Sequence, residues 1–499
     1  MQADYFRRIK EEKMKNNTSQ KVLSWGTKDY VSNVITFVAN VLVIALLFVA
    51  AVQFGAIDFN EYFKNLGSFM NFLVMLLLAV GVMALYFAFE DRDFMKNAVN
   101  IEMLFLILEL SLIICFAVGR YINIYLRPLA LVSVMTLFLT NRRTAIFMNF
   151  IYCVIIFLFD AFSGTTFSVG NYPALLMGFT SGMLAIFCLD KVNSRIKILV
   201  MSLIVSLPTL LCVAMTVIEN GSDNVIVDLI CGASSGPLIV SAFLILLPIF
   251  ESAFKKVSYF KYAELNDHKS KLIRKMIQHA PGTFNHSLVV SNIAEACATA
   301  IGEDALLART CAYYHDMGKL RRPEFFTENQ ADGVNPHDDL TPELSANIIK
   351  SHPLDGYNLI IKNRLPKEIA DVAVQHHGTM PILYFYNKAK TFTDGDVDIT
   401  QYCYQGPKPQ TKIAAIVMIA DSAEAAARTL KERSRENVKA VVRKIVNERM
   451  ALGQFEECEI TLKELNIIMH TVVNNLTGVY HSRIEYPKVN LDGLGIGDE

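Results

Sequence analysis

Ahead of residue 252 one long apolar stretch follows another, and these stretches limit what the chain can fold into. They fall at about 33–57, 69–89, 99–119, 125–140, 144–162, 172–189, 196–218 and 226–250. A membrane-crossing helix needs roughly 20 apolar residues, so the first half reads as a helical membrane bundle. The fourth and fifth runs are short and separated only by "TNRRT", which leaves seven spans open beside eight. The 53% hydrophobic composition and mean hydropathy of +0.33 come from this half, because the remainder has the make-up of an ordinary charged soluble domain.

Charge gives the bundle a direction. Lys and Arg concentrate in 1–32, 90–98 (Arg92, Lys96), 140–144 (Arg142, Arg143), 190–197 (Lys191, Arg195, Lys197) and 251–256 (Lys255, Lys256). The alternate loops "DFNEYFKNLGS", "SGTTFSVGNY" and "ENGSDN" carry almost none, and the loop around Arg120 and Arg127 is the exception. Under the positive-inside rule this puts the N-terminus and everything after residue 251 in the cytoplasm, which favours an even count of eight spans. The polar start "MQADYFRRIKEEKMKNN" argues against a cleaved signal peptide. Five of the nine cysteines (Cys115, Cys153, Cys188, Cys212, Cys231) sit in apolar runs without CxxC spacing, so reduced buried thiols are expected. With 47 basic and 48 acidic residues there is no reason to expect nucleic-acid binding. Glu102 and Glu109 share a helix face inside the third run, where a carboxylate is structural or senses something. No phosphate-binding loop, ion-site repeat or transporter signature occurs, so the bundle reads as anchor or sensor.

Beyond residue 251 the patterns are helical and no period-two strand pattern persists, so the fold class is all-α. A charged helical linker covers 251–278. Helical stretches follow at 286–301, 305–317, 342–362, 366–377, 411–430 and 434–450, and 387–409 reads as a loop. This soluble domain extends over 279–488, ahead of a tail at 489–499. Eight of the ten histidines fall between 268 and 377. In order, the candidates are His286, the doublet His315-Asp316 in "YYHDMGK", His352, His376 and His377, and Asp421. Imidazole with carboxylate suits Mn, Fe, Zn or similar ions, and five histidines with two aspartates exceed the needs of one ion and suit two. His268, His279, His337, His470 and His481 are not needed for the metals.

This order of ligand types resembles the HD-domain phosphohydrolase superfamily, in its two-metal branch. "APGTFNHSLVVSNIAEACATAIG", "LLARTCAYYHDMGKLRRPEFFTENQ", "NPHDDLTPELSANIIKSHPLDGY", "VQHHGT", "YQGPKPQTK", "ADSAEAAAR" and "YHSRIEYP" narrow the resemblance to the 7TM-HD family of membrane-bound cyclic di-AMP phosphodiesterases, the PgpH type. Three departures stand out. Only "DFNEYFKNLGS" fills the place where the family carries a large extracellular domain. Asn285 precedes His286 where a second histidine is common, and Ile413 replaces a glutamate after "PKPQTK".

The resemblance implies one metal held by His286, His315, Asp316 and Asp421, and a second, bridged by Asp316, held by His352, His376 and His377. Mn or Fe are the ions expected. It implies hydrolysis of cyclic di-AMP to linear pApA at the cytoplasmic face of a bacterial cell membrane. Lys319, one turn beyond the doublet, is the candidate for a phosphate oxygen, with Arg322 and Arg428 as weaker candidates. Three alternatives stay open: another cyclic dinucleotide such as cyclic di-GMP, a nucleotide-binding receptor without turnover, and, more weakly, a transporter. "HPLDGY" echoes the HD-GYP signature without its GYP triplet. Besides substrate and lipid bilayer, the reading leaves room for a homo-oligomer.

Overall fold

The computed structural model describes residues 27–479, apart from 55–58, 65, 96, 164–171, 191, 193–194, 221–223, 331–334 and 393–395. Most of the N-terminal segment 1–32, the motif at 480–487 and the tail at 489–499 lie outside the described residues. The chain divides into two compact units, Met1–Ser258 and Tyr259–Glu499, so residues 251–278 fall on both sides of the division. The described residues are helical, with one isolated bridge, Pro381 to Cys403, and no strand.

Among the described residues, six of the eight apolar runs form helices long and apolar enough to cross a membrane: Val31–Gln53, Gly67–Glu90, Ala98–Tyr121, Arg142–Ser163, Ile196–Ile218 and Val225–Phe254. The run at 144–162 is not short, because Arg142 and Arg143 belong to its helix of 22 residues. The run at 125–140 is broken near its start. Pro128 keeps Arg127 extended (φ −54°, ψ 128°), so a 3-10 turn at Ile124–Leu126 precedes an α-helix of only 9 residues, Leu131–Leu139. The segment Ala174–Leu189 is also shorter than the other six. Within Ile196–Ile218 the helix breaks at Ser206, two residues before Pro208. There the Ser206 hydroxyl accepts the Gly236 amide at 2.9 Å and donates to the Ala233 carbonyl at 2.8 Å, tying the break to the next helix.

Aromatic rings and a few polar bonds hold this unit together. Phe48 stacks on Phe72 at 3.7 Å with Phe159 edge-on to both. At Gly182 a Cβ would lie 2.1 Å from Asn149 Oδ1, and Asn149 in turn accepts from Ser133 at 2.9 Å. Glycine leaves room for that bond where its own helix packs against the other two. The two arginines that break the charge pattern are engaged inside the unit. Arg127 pairs with Asp160 at 2.8 Å, both buried, and Arg120 donates to the Phe54 carbonyl at 3.1 Å. Glu102 accepts from Asn40 at 2.9 Å. Glu109 is buried, and its Oε1 has no hydrogen-bond partner among the described residues.

In the second unit Pro281–Ile301 is the central helix, packed against Ala305–Tyr314, Lys412–Arg428 and Leu462–Val479. Pro342–Lys362 packs on Lys367–Gln375 and on the 3-10 turn Met317–Arg321. Two elements differ from the sequence reading. Leu383–Phe392 is a helix that enters the segment read as a loop, and Leu462–Val479 adds a further helix, burying Leu465, Ile468, Val472 and Leu476 on one face.

The buried pair in the bundle has a testable energetic signature. Arg127→Met strands the Asp160 carboxylate, at a cost of about 3–5 kcal/mol, and should lower the thermal midpoint of the detergent-purified protein. The double variant Arg127→Met/Asp160→Leu should recover most of that loss. Calorimetry that finds the double variant as unstable as the single one contradicts the assignment.

Candidate metal centre

The seven candidate ligands, 135 residues apart at their extremes, converge on one site because five helices or helix ends deliver them. His286 lies in the second turn of Pro281–Ile301. His315 caps the C-terminus of Ala305–Tyr314, and Asp316 follows as the chain tightens into Met317–Arg321. His352 is inside Pro342–Lys362, His376 caps Lys367–Gln375 with His377 next, and Asp421 is inside Lys412–Arg428. Gly318 lets the doublet reach His352, since a Cβ there would sit 1.9 Å from the His352 carbonyl oxygen.

Three of the histidines are aimed by one device. Nδ1 of His315, His352 and His376 donates to the carbonyl three residues earlier: Ala312 at 2.6 Å, Ile349 at 2.7 Å and Ala373 at 2.7 Å. Those carbonyls are free for physical reasons. Ala312 and Ala373 lie in the last turns of their helices, where carbonyls lack an amide partner. Ile349 is four residues before Pro353, which has no N–H to give it. A carbonyl only accepts, so in the neutral ring Nδ1 carries the proton and Nε2 keeps its lone pair. All three lone pairs point inward.

Asp316 completes the arrangement. Its Oδ2 lies 3.2 Å from His315 Nε2 and 3.7 Å from His286 Nε2, while its Oδ1 lies 3.3 Å from His352 Nε2 and 3.7 Å from His376 Nε2. Asp421 Oδ1 is 3.0 Å from His286 Nε2, and its Oδ2 is 3.8 Å from His377 Nδ1. The residues fit metal ions by their own chemistry. His352 and His376 bring two Nε2 lone pairs to 3.3 Å with no proton to share. His315 Nε2 and both Asp316 oxygens are buried without a hydrogen-bond partner, and the Lys319 ammonium pairs with Asp316 Oδ2 alone. Three sets bring ligand atoms within 4.8 Å of one another: His286/His315/Asp316, His352/His376/His377 and, running between these two, His315/His376/Asp421.

Burial opposes charge throughout, and the neighbours decide the outcome. Burial and the nearby His315 push His376 down to about 3, and burial with His376 lowers His377. Burial would raise Asp316, but His315 and Lys319 hold its carboxyl well below the usual range. Burial would lower His315, but Asp316 holds it up to about 10, so without an ion its Nε2 also carries a proton, which a metal would have to displace. Lys319 spans Asp316 at 2.8 Å and Glu328 at 2.7 Å. Arg322 is exposed and lines a cavity of about 200 Å³ beside His352, where Arg321 pairs with Asp355 at 2.6 Å. Arg428 holds Glu424 at 2.6 Å.

Glu424, Glu328 and Tyr404 were not singled out in the sequence. Glu424 accepts from His286 Nδ1 at 2.5 Å, and Tyr404 stacks on His377 at 4.3 Å. The spacing Asp421, Glu424, Arg428 on one helix was the available signal for Glu424. Asn285 is exposed, and Ile413 is buried in the core.

Known proteins share both halves of the chain. The family described as "7TM receptor with intracellular HD hydrolase" matches residues 62–258, and the HD domain matches 283–426. The chain belongs to the 7TM-HD family. It is a multi-pass membrane protein, and the HD domain implies dependence on a divalent metal. It is 36% identical over 449 residues to the cyclic-di-AMP phosphodiesterase PgpH of Bacillus subtilis, covering 87% of this chain and 62% of that protein. To the PgpH of Listeria monocytogenes it is 38% identical over 398 residues, covering 78% of this chain and 53% of that protein. The chain thus spans 62% and 53% of the lengths of these two relatives. The crystal structure of the L. monocytogenes PgpH HD domain in complex with cyclic-di-AMP is 48% identical, with a TM-score of 0.41, covering 43% of this chain and 99% of that one.

The carbonyl device is open to a direct test. Pro353→Ala returns an amide to the Ile349 carbonyl and makes it compete with His352 Nδ1. Thermal stability should hold or rise, while divalent-metal affinity falls roughly tenfold, as for other lost supports of a ligating histidine. Calorimetric titration giving the parent affinity would refute the device.

Proposed function

We propose that the chain is a two-metal phosphodiesterase that opens cyclic di-AMP to linear pApA at the cytoplasmic face of a bacterial cell membrane. The observation that carries this reading is the division of Asp316, whose two oxygens each face a separate pair of histidines. His286, His315, Asp316 and Asp421 would hold one ion, and Asp316, His352, His376 and His377 the other, with Mn or Fe suited to this donor set. The names of the two PgpH relatives support the substrate, and the Lys and Arg distribution supports the cytoplasmic placement.

Bound divalent ions supply Lewis-acid stabilisation of charge at phosphorus and activation of water. The chain's own residues do the rest. Asp316 and Asp421 balance the positive charge of the site, and the carbonyl-bound histidines keep their lone pairs fixed, so little rearrangement is needed during reaction. Lys319 is held at the edge of the site by Glu328, which itself accepts from Thr283 at 3.1 Å. From there its ammonium can reach a phosphate oxygen as a point charge. Arg322, in the cavity beside His352, is placed for a second anionic group of the dinucleotide. Arg428 is tied to Glu424, so its role in this reading is support rather than substrate contact.

Asp316→Ala should abolish turnover while the far-UV circular dichroism keeps its helical form. Catalytic efficiency on cyclic di-AMP should exceed that on cyclic di-GMP by at least about tenfold, roughly 1.4 kcal/mol of differential transition-state binding. Hydrolysis of radiolabelled dinucleotides measures both, and equal rates on the two substrates would overturn the substrate assignment.

A further inference from the structure

We propose that Glu424, held by Arg428, is a positioning residue for His286 and makes the two ion positions unequal, favouring the ion on the His286 side. The proposal rests on the two-ion reading above.

His286 differs from the three histidines aimed by backbone carbonyls. It lies within Pro281–Ile301, well before the last turn, and no proline follows it at 287 to free a carbonyl behind it. Its Nδ1 is met instead by a carboxylate from another helix, Glu424 Oε2 at 2.5 Å. A charged acceptor makes a stronger bond than a neutral carbonyl and places negative charge directly behind the imidazole. That charge strengthens the imidazole as a ligand as well as fixing its orientation.

The supporting carboxylate is itself secured. The Glu424 side chain is 1% exposed, and a buried carboxylate needs a partner. Arg428, one turn along the same helix, supplies two donors to Oε1: Nη2 at 2.6 Å and Nε at 3.2 Å. The other oxygen is left to His286. Asp421, one turn earlier on that helix, faces His286 Nε2 at 3.0 Å. One helix thus presents a ligand to one side of the imidazole and its support to the other. Among the described residues no carboxylate plays this part for His352 or His376, whose Nδ1 atoms end on Ile349 and Ala373 carbonyls.

The test uses full-length protein in detergent, stripped by chelator and titrated with Mn²⁺ by calorimetry, with bound Mn counted by elemental analysis. The wild type should bind two Mn²⁺ in separable steps, the tighter one on the His286 side. Glu424→Gln keeps an oxygen acceptor but removes the charge, and should weaken one step roughly tenfold. Glu424→Ala should weaken the same step roughly 100-fold, with the other step unchanged within about threefold. Arg428→Gln should fall between wild type and Glu424→Gln. His286→Ala should remove the step that the Glu424 variants weaken, and adding Glu424→Gln to it should cost nothing further. Equal weakening of both steps, or none in Glu424→Gln, overturns the proposal even if the alanine variant fails to fold. A wild type that binds a single Mn²⁺ overturns the two-ion reading and this proposal together. A wild-type count of two with unaffected Glu424 variants overturns this proposal alone.

Discussion

Asp316 carries a negative charge into a site where its side chain is 1% exposed. A carboxylate so placed is tolerated only where positive charge or donors surround it, and here Lys319 reaches just one of its two oxygens. The rest of the second unit is arranged around that demand. Helices from four separate stretches of chain bring imidazoles to the two oxygens, two to each, and Gly318 lets the doublet press against the helix that carries His352. Removing Asp316 would leave two groups of inward-facing lone pairs with nothing between them.

Aiming those lone pairs is a backbone problem as much as a side-chain one. Two helix ends and one internal proline leave carbonyls unpaired, and each is taken up by the histidine that needs orienting. Features that ordinarily weaken helices are here satisfied by the site itself. The membrane unit handles its own irregularities in the same way. The break at Ser206 is closed by bonds to Ala233 and Gly236, and Arg127, displaced from helix by Pro128, finds Asp160.

The candidate ligands and their order were legible in the sequence because metal chemistry needs specific side chains, and the structure brings those side chains together. Their partners were harder to read. Glu424 sits in an alanine-rich stretch where a glutamate looks like a solvated charge, and the histidine it serves is 138 residues away. Hydropathy located the membrane segments but misjudged two lengths, since a sliding apolar count registers neither Pro128 inside a run nor Arg142 and Arg143 as helix. The helix Leu383–Phe392 was partly obscured by the Gly and Pro residues that follow it. Leu462–Val479 has the apolar spacing of an amphipathic helix, at Leu465, Ile468, Val472 and Leu476, and that pattern was open to reading.

The central claim is that one carboxylate is shared between two ions. Anomalous diffraction from crystals of the Mn²⁺-loaded protein, collected on either side of the Mn absorption edge, tests it most directly. The account predicts two anomalous peaks, one beside each oxygen of Asp316, the first within reach of His286 and His315 and the second of His352 and His376. A single peak at full loading, or two peaks that do not share Asp316, would contradict it.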